Sequence, residues 1–220
     1  MAALLLDLSA AFDLVDHKIL LGKLKLYGFS PSSLEWFSSY LKERVQYVQV
    51  ESRLSDPMPT GDQGVPQGSI LGPFLFLVYY NEFPETKYHQ QEIAPPPPLA
   101  ASTDVPVPAS SCLPCSSLSV LYADDDTDHA QDKDPNVLVS KIQYEADCST
   151  KWVADNKLVC SGDKTKLLIV TTNAMRRSRL GGRQLQINVC GNIVKESVCE
   201  KILGILVNQK LILVSTYVRR

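Results

Sequence analysis

No apolar run in this chain approaches the roughly 20 residues needed to span a bilayer; the longest candidate, residues 74–80, has the length of a core segment. No membrane partner is therefore expected. A secretory signal is not expected either, because no basic stretch precedes the apolar start and Asp7 interrupts it. An intracellular protein, nuclear or cytoplasmic, follows as the expectation. A basic excess is also missing: 22 Lys and Arg stand against 24 Asp and Glu, a net charge of −2, so there is no global electrostatic case for nucleic acid. Histidine is scarce at three residues, and the Cys112–Cys115 pair has neither a second pair nor a suitably spaced histidine. That argues against a zinc site. Six dispersed cysteines without a signal read as reduced thiols. Internal repeats are absent.

What is present is an alternation of strand-like and helix-like segments. Leu4, Leu5 and Leu6 make a short buried-strand signal ending at Asp7. Residues 15–27 predict a helix with Leu20, Leu21, Leu24 and Tyr27 on one face and Gly28 as its stop. Ser30 and Pro31 supply the cap and first turn of a second helix carrying Leu34, Phe37 and Leu41. Residues 44–51 are β-rich, 55–64 turn-rich, and a third helix begins near Ser69 with Pro73 in its first turn. Residues 85–117 hold many prolines and small residues without periodicity, and read as a disordered insertion. Beyond it come a strand at 118–122, a helix at 136–155, a strand at 166–171, a basic turn at 176–183 and strands at 184–189 and 201–206. The expected class is α/β (α+β) around a central sheet. The expected organisation is 1–84, an insertion at 85–117, and 118–220.

Two of the strand-like runs end in carboxylates: Asp7 in the first, Asp124 and Asp125 in the second. Carboxylates at neighbouring strand ends repel one another unless a cation lies between them. Hard oxygen ligands of this kind suit Mg2+, which recruits substrate phosphates. Two such ions can clamp an in-line phosphoryl displacement. On spacing alone, the same aspartates read more readily as turn residues and helix caps.

The motifs carry a resemblance. LLLDLSAAFDLVDH, GVPQGSILGPFLFLVYYNEFP, LYADD and NKLVCSGDKTKLLIV resemble, in order, four palm motifs of reverse transcriptases of the non-LTR (LINE-type) retrotransposons, and ESVCEKILGILVNQKL resembles the strand-bearing segment that follows them. The likeness covers nearly the whole chain apart from the proline-rich insertion. It implies a polymerase palm, a central antiparallel sheet with packing helices, and RNA-templated addition of deoxynucleotides to a primer 3′-hydroxyl. RNA template, DNA primer and deoxynucleoside triphosphates are the partners implied. Asp7, Asp124 and Asp125 would hold two Mg2+ ions, or Mn2+ in their place. Phe12 would pack under the incoming sugar and exclude a 2′-hydroxyl, and Gln67 and Gly68 would line the nucleotide and template pocket. Lys164 would protonate the leaving pyrophosphate. By residue type alone, Phe12 also reads as a core aromatic, Gln67 and Gly68 as turn chemistry, and Lys164 as a solvated turn lysine.

The resemblance also implies fingers before Asp7 and a thumb beyond Arg220, which these 220 residues do not include. The third motif continues Asp126-Thr127-Asp128, extra negative charge expected beside the metals. These departures leave a second reading open, a catalytically inactive retrotransposon relic with at most a binding role.

Overall fold

A computed structural model of the chain describes residues 1–84, 118–122, 125–181, 183–202, 204–210 and 213–214. The expected insertion at 85–117, Asp124 and the Cys112–Cys115 pair lie outside the described residues.

The expected apolar strand, β1 (Ala2–Leu6), is the interior of a six-stranded sheet. Its neighbours are β7 (Asp125–Ala130), which is also paired with β6 (Leu118–Tyr122), and β8 (Lys166–Ile169). The sheet continues through β10 (Asn192–Ser197) to β9 (Gln186–Val189). Every pair is antiparallel except β8 with β10, so the sheet is mixed rather than wholly antiparallel. Ala2, Leu4 and Leu6 are buried in the core, each leucine contributing roughly 1.5–3 kcal/mol by leaving water.

The helices form where caps and periodicity predict. Helix α1 (His17–Leu26) starts one residue after Asp16, whose carboxylate accepts from the Lys18 and Ile19 amides. It buries Leu20 and Leu24, whereas Tyr27 is exposed and accepts a hydrogen bond from Asn81. Helix α2 (Pro31–Leu41) is capped by Ser30, as expected. Helix α3 (Leu71–Tyr80) begins two residues later than predicted, because the Ser69 hydroxyl is used to accept from the Gly72 amide. Helix α4 (Pro135–Asp155) lays Ile142, Ala146 and Trp152 into the core.

Between α2 and α3 the β-rich segment is a nested hairpin of four two-residue strands. Residues 42–63 are exposed throughout. The last expected strand, 201–206, is instead a hairpin: β11 (Cys199–Ile202) and β12 (Ile205–Asn208) turn at Gly204, whose φ of 85° favours glycine. The basic turn is a π-helical turn, Arg176–Leu180. Arg176 is ion-paired with the buried Glu196 and donates to Gln209.

One buried knot joins α1, α3 and α4. The Tyr79 hydroxyl donates to the Asn156 carbonyl (2.5 Å) and accepts from the Asp16 amide (3.4 Å). Burial pushes the Tyr79 phenol up to about 12. Asp16 is also ion-paired with Lys157 at 2.6 Å.

Candidate active site

The register of β1 builds the site. Leu6 faces Asp126 on one side and Leu5 faces Lys166 on the other. Continuing both ladders past the strand end puts Asp7 across from Asp125 on one flank and from Lys164 on the other. The Lys164 ammonium is 3.6 Å from the Asp7 carboxylate, and its side chain is 70% exposed. The Asp7 carbonyl accepts from the Ser161 amide (2.8 Å), tying the strand end to the loop that carries Lys164.

A second set of contacts brings the Gly-Val-Pro-Gln-Gly segment to the loop after β1. Gly64 donates to the Val15 carbonyl (2.8 Å) and Val65 to the Phe12 carbonyl (2.9 Å). His17 Nε2 donates to the Gly64 carbonyl (2.7 Å). Gly64 has φ of 88°, and a Cβ there would lie 3.0 Å from the Asp13 carbonyl, so the close approach requires glycine. The Gln67 amide donates to Asp13 Oδ1 (3.1 Å). The Phe12 ring stacks on Phe76 of α3, with centroids 4.5 Å apart.

Six of the seven expected site residues therefore share one cleft. A cavity of about 510 Å³ is lined by Asp7, Phe12, Gln67, Gly68, Asp125 and Lys164. The seventh, Asp124, lies outside the described residues. A second cleft of about 650 Å³ meets the first at Asp7, Asp125 and Lys164, and adds Lys166, Lys201, Thr127 and His129. Among the described residues, no three His, Cys, Asp or Glu side chains gather as a metal site.

Of the two extra acidic residues, Asp126 lines the second cleft with Asp7 and Asp125, and Asp128 lines neither cleft. Asp126 and Asp128 are buried, and Asp128 accepts from Ser119 (2.5 Å) and from Ser149 of α4 (3.4 Å). Alternation along β7 turns these side chains away from the exposed Asp125. Sequence reasoning missed Asp13, His17 and Phe76. Asp13 and His17 stand inside the first motif but were given no role there, and Phe76 reads only as one core aromatic in an apolar run.

Comparison with known proteins shows the family of the chain. Residues 2–205 match the family described as reverse transcriptase (RNA-dependent DNA polymerase). The chain is 28% identical over 210 residues to the RNA-directed DNA polymerase from mobile element jockey of Drosophila melanogaster, covering 94% of this chain and 19% of that protein. It is 36% identical over 91 residues to the probable RNA-directed DNA polymerase from transposon BS of the same organism, covering 41% of this chain and 10% of that protein. The chain thus spans about a fifth or less of the relatives it matches. Among solved structures, telomerase from Candida albicans aligns with 96% of this chain and 30% of its own, at 14% identity and a TM-score of 0.47. The chain belongs to the reverse transcriptase (RNA-dependent DNA polymerase) family, as a domain of the LINE-type, non-LTR retrotransposon kind.

Proposed function

We propose that this chain is the palm of an RNA-directed DNA polymerase, with the two clefts holding the incoming deoxynucleoside triphosphate and the primer end. The observation that carries the reading is the shared cleft, which gathers Asp7, Phe12, Gln67, Gly68, Asp125 and Lys164 from four separate motifs. Reverse transcriptases as a family use divalent metal ions. The donor set fits such ions: Asp7 and Asp125 offer hard oxygens on one rung of the sheet, and the Lys164 ammonium already sits 3.6 Å from Asp7. Asp7, Asp124 and Asp125 would hold two Mg2+, or Mn2+, which when bound supply charge neutralisation and activation of the primer 3′-hydroxyl.

The remaining roles belong to the chain's own side chains. Lys164, its side chain exposed, would turn from Asp7 toward the leaving pyrophosphate and deliver a proton to it. Phe12, with its backbone pinned by Val65, presents a ring face against the sugar. Gln67, oriented by Asp13, faces the nucleotide and template side. Lys166 and Lys201 in the second cleft meet backbone phosphates of the primer. Asp128, engaged by Ser119 and Ser149 and outside both clefts, does not compete for cations at the site.

The test replaces the matching segment of the jockey polymerase with residues 2–205 and follows extension of a labelled primer on RNA. Extension that falls to background with Asp124→Ala is expected. Held geometry is worth roughly 7–11 kcal/mol of a bimolecular barrier, so the 220 residues alone are expected to give no processive extension. An active chimera indifferent to Asp124→Ala would remove this aspartate from the mechanism. A chimera inert in every form, beside an active jockey parent, would favour the relic.

A further inference from the structure

We propose that Phe76 sets the position of the Phe12 ring and, through it, the choice of the cleft between deoxyribose and ribose. The inference rests on the reading of this cleft as the triphosphate site. Phe12 sits in an irregular loop, where turn bonds from Asp13 and Leu14 to the Ala10 carbonyl and one bond from Val65 fix the backbone. Those bonds leave the direction of the ring open. The direction comes from Phe76, whose ring lies 4.5 Å away and nearly parallel, at 18°. Phe76 is itself buried and also stacks against Tyr80 (5.6 Å, 14°). Tyr80 in turn meets Phe83 at 4.8 Å and Trp152 of α4 at 5.1 Å. Phe12 is thus the cleft-facing end of a stack of rings rooted in the core. Phe76 does not line the cleft; it acts as a positioning residue.

A steric wall discriminates only as well as it is held. With a smaller or differently shaped side chain at position 76, the Phe12 ring gains room to sink toward α3, and a 2′-hydroxyl fits above it. The effect on a deoxynucleotide is slight, since that sugar never met the wall. The expected signature is therefore a change in selectivity rather than in binding as a whole.

The experiment measures dGTP and GTP binding to the 220-residue chain with Mg2+ by isothermal titration calorimetry; the two ligands differ only at the 2′ position. The parent is expected to prefer dGTP roughly 10-fold or more, the range set by one group in a shaped pocket. Phe12→Ala should abolish the preference. Phe76→Leu, and the milder Phe76→Met, should narrow it to about threefold by weakening the clash with GTP, while Phe76→Tyr keeps a ring and the preference. Leu75→Ala, a buried neighbour outside the stack, should lower Tm comparably and leave selectivity intact. Full selectivity in folded Phe76→Leu and Phe76→Met beside a non-selective Phe12→Ala would overturn the inference and leave the site reading standing. Loss of selectivity in Leu75→Ala would overturn it too, as general loosening. A parent that binds neither nucleotide, or a Phe12→Ala variant that still prefers dGTP, would overturn the gate itself and this inference with it.

Discussion

At the scale of single residues, Asp16 shows how the loop after β1 is secured. Its carboxylate caps α1 and pairs with Lys157. Burial alone would raise its pKa, but the Lys157 hydrogen bond, the Ile19 and Lys18 amides and the Lys157 charge outweigh burial and hold it below the ordinary carboxylate value. A carboxyl depressed in the fold contributes stability above its unfolded pKa, and that contribution disappears as pH falls through the folded value. Asp16→Asn should therefore cost about 1 kcal/mol near neutral pH. Urea unfolding should show the gap between the two proteins closing below about pH 4, where the unfolded carboxyl takes up its proton. A gap that stays constant down to pH 2 would mean that the side chain acts by shape alone.

At the scale of elements, β7 is the instructive case. Its sequence, Asp-Asp-Thr-Asp-His-Ala, has little strand propensity, yet it pairs with β1 over residues 126–130 and with β6 over residues 125–129. Tertiary pairing overrides local preference here, and the sequence reading therefore stopped the strand signal at 122. Asp128, fully buried, accepts from Ser119 and Ser149 and so ties β6, β7 and α4 together. Asp128→Ala should destabilise by about 1–3 kcal/mol, because it leaves the part-buried Ser119 hydroxyl short of an acceptor and leaves Ser149 only the Glu145 carbonyl. Adding Ser119→Ala and Ser149→Ala to it should recover part of that loss in urea melts, whereas strict additivity of the three losses would refute the network. The helices were legible for the opposite reason. Gly28, Ser30 and Pro31 are local signals that act within one turn of where they stand, and α1 ends and α2 begins beside them, whereas sequence reasoning missed the Asp16 cap, which starts α1 two residues later than expected. The cleft was legible only through motif resemblance, since Phe12, Gln67 and Lys164 each fit a bland role when read singly. The contacts that assemble it, Gln67 to Asp13 and His17 to Gly64, link positions that no periodicity connects.

At the scale of the whole molecule, the hairpin of β11 and β12 borders the second cleft through Glu200, Lys201 and Ile202. It is held to the main sheet by a polar clamp. Arg176 pairs with Glu196 of β10 and donates to Gln209, which donates to the Ser197 carbonyl (2.9 Å) and accepts at its own carbonyl from the Thr171 amide (3.1 Å). Arg176→Ala strands a buried carboxylate and should cost about 3 kcal/mol. Hydrogen exchange should quicken first in β11 and β12 while β1 stays protected. Uniform loosening of both sheets would show that the clamp is not local. Among the described residues, no helix is long and apolar enough to cross a membrane.

The central placement of β1 also bears on how the chain acquires its shape. Its two ladder partners lie over a hundred residues further along the sequence, and the Asp7 amide reaches a hydroxyl 158 positions away. Loop closure on that scale is entropically costly before any contact rewards it, so folding should be slow, in the range of milliseconds to seconds or longer. On the ribosome, the apolar strand that will carry Asp7 emerges long before either neighbour exists. Until residues near 130 leave the exit tunnel, Leu4 and Leu6 have no native ladder to join, and chaperone binding to that strand is the natural means of keeping a nascent chain from pairing it with another.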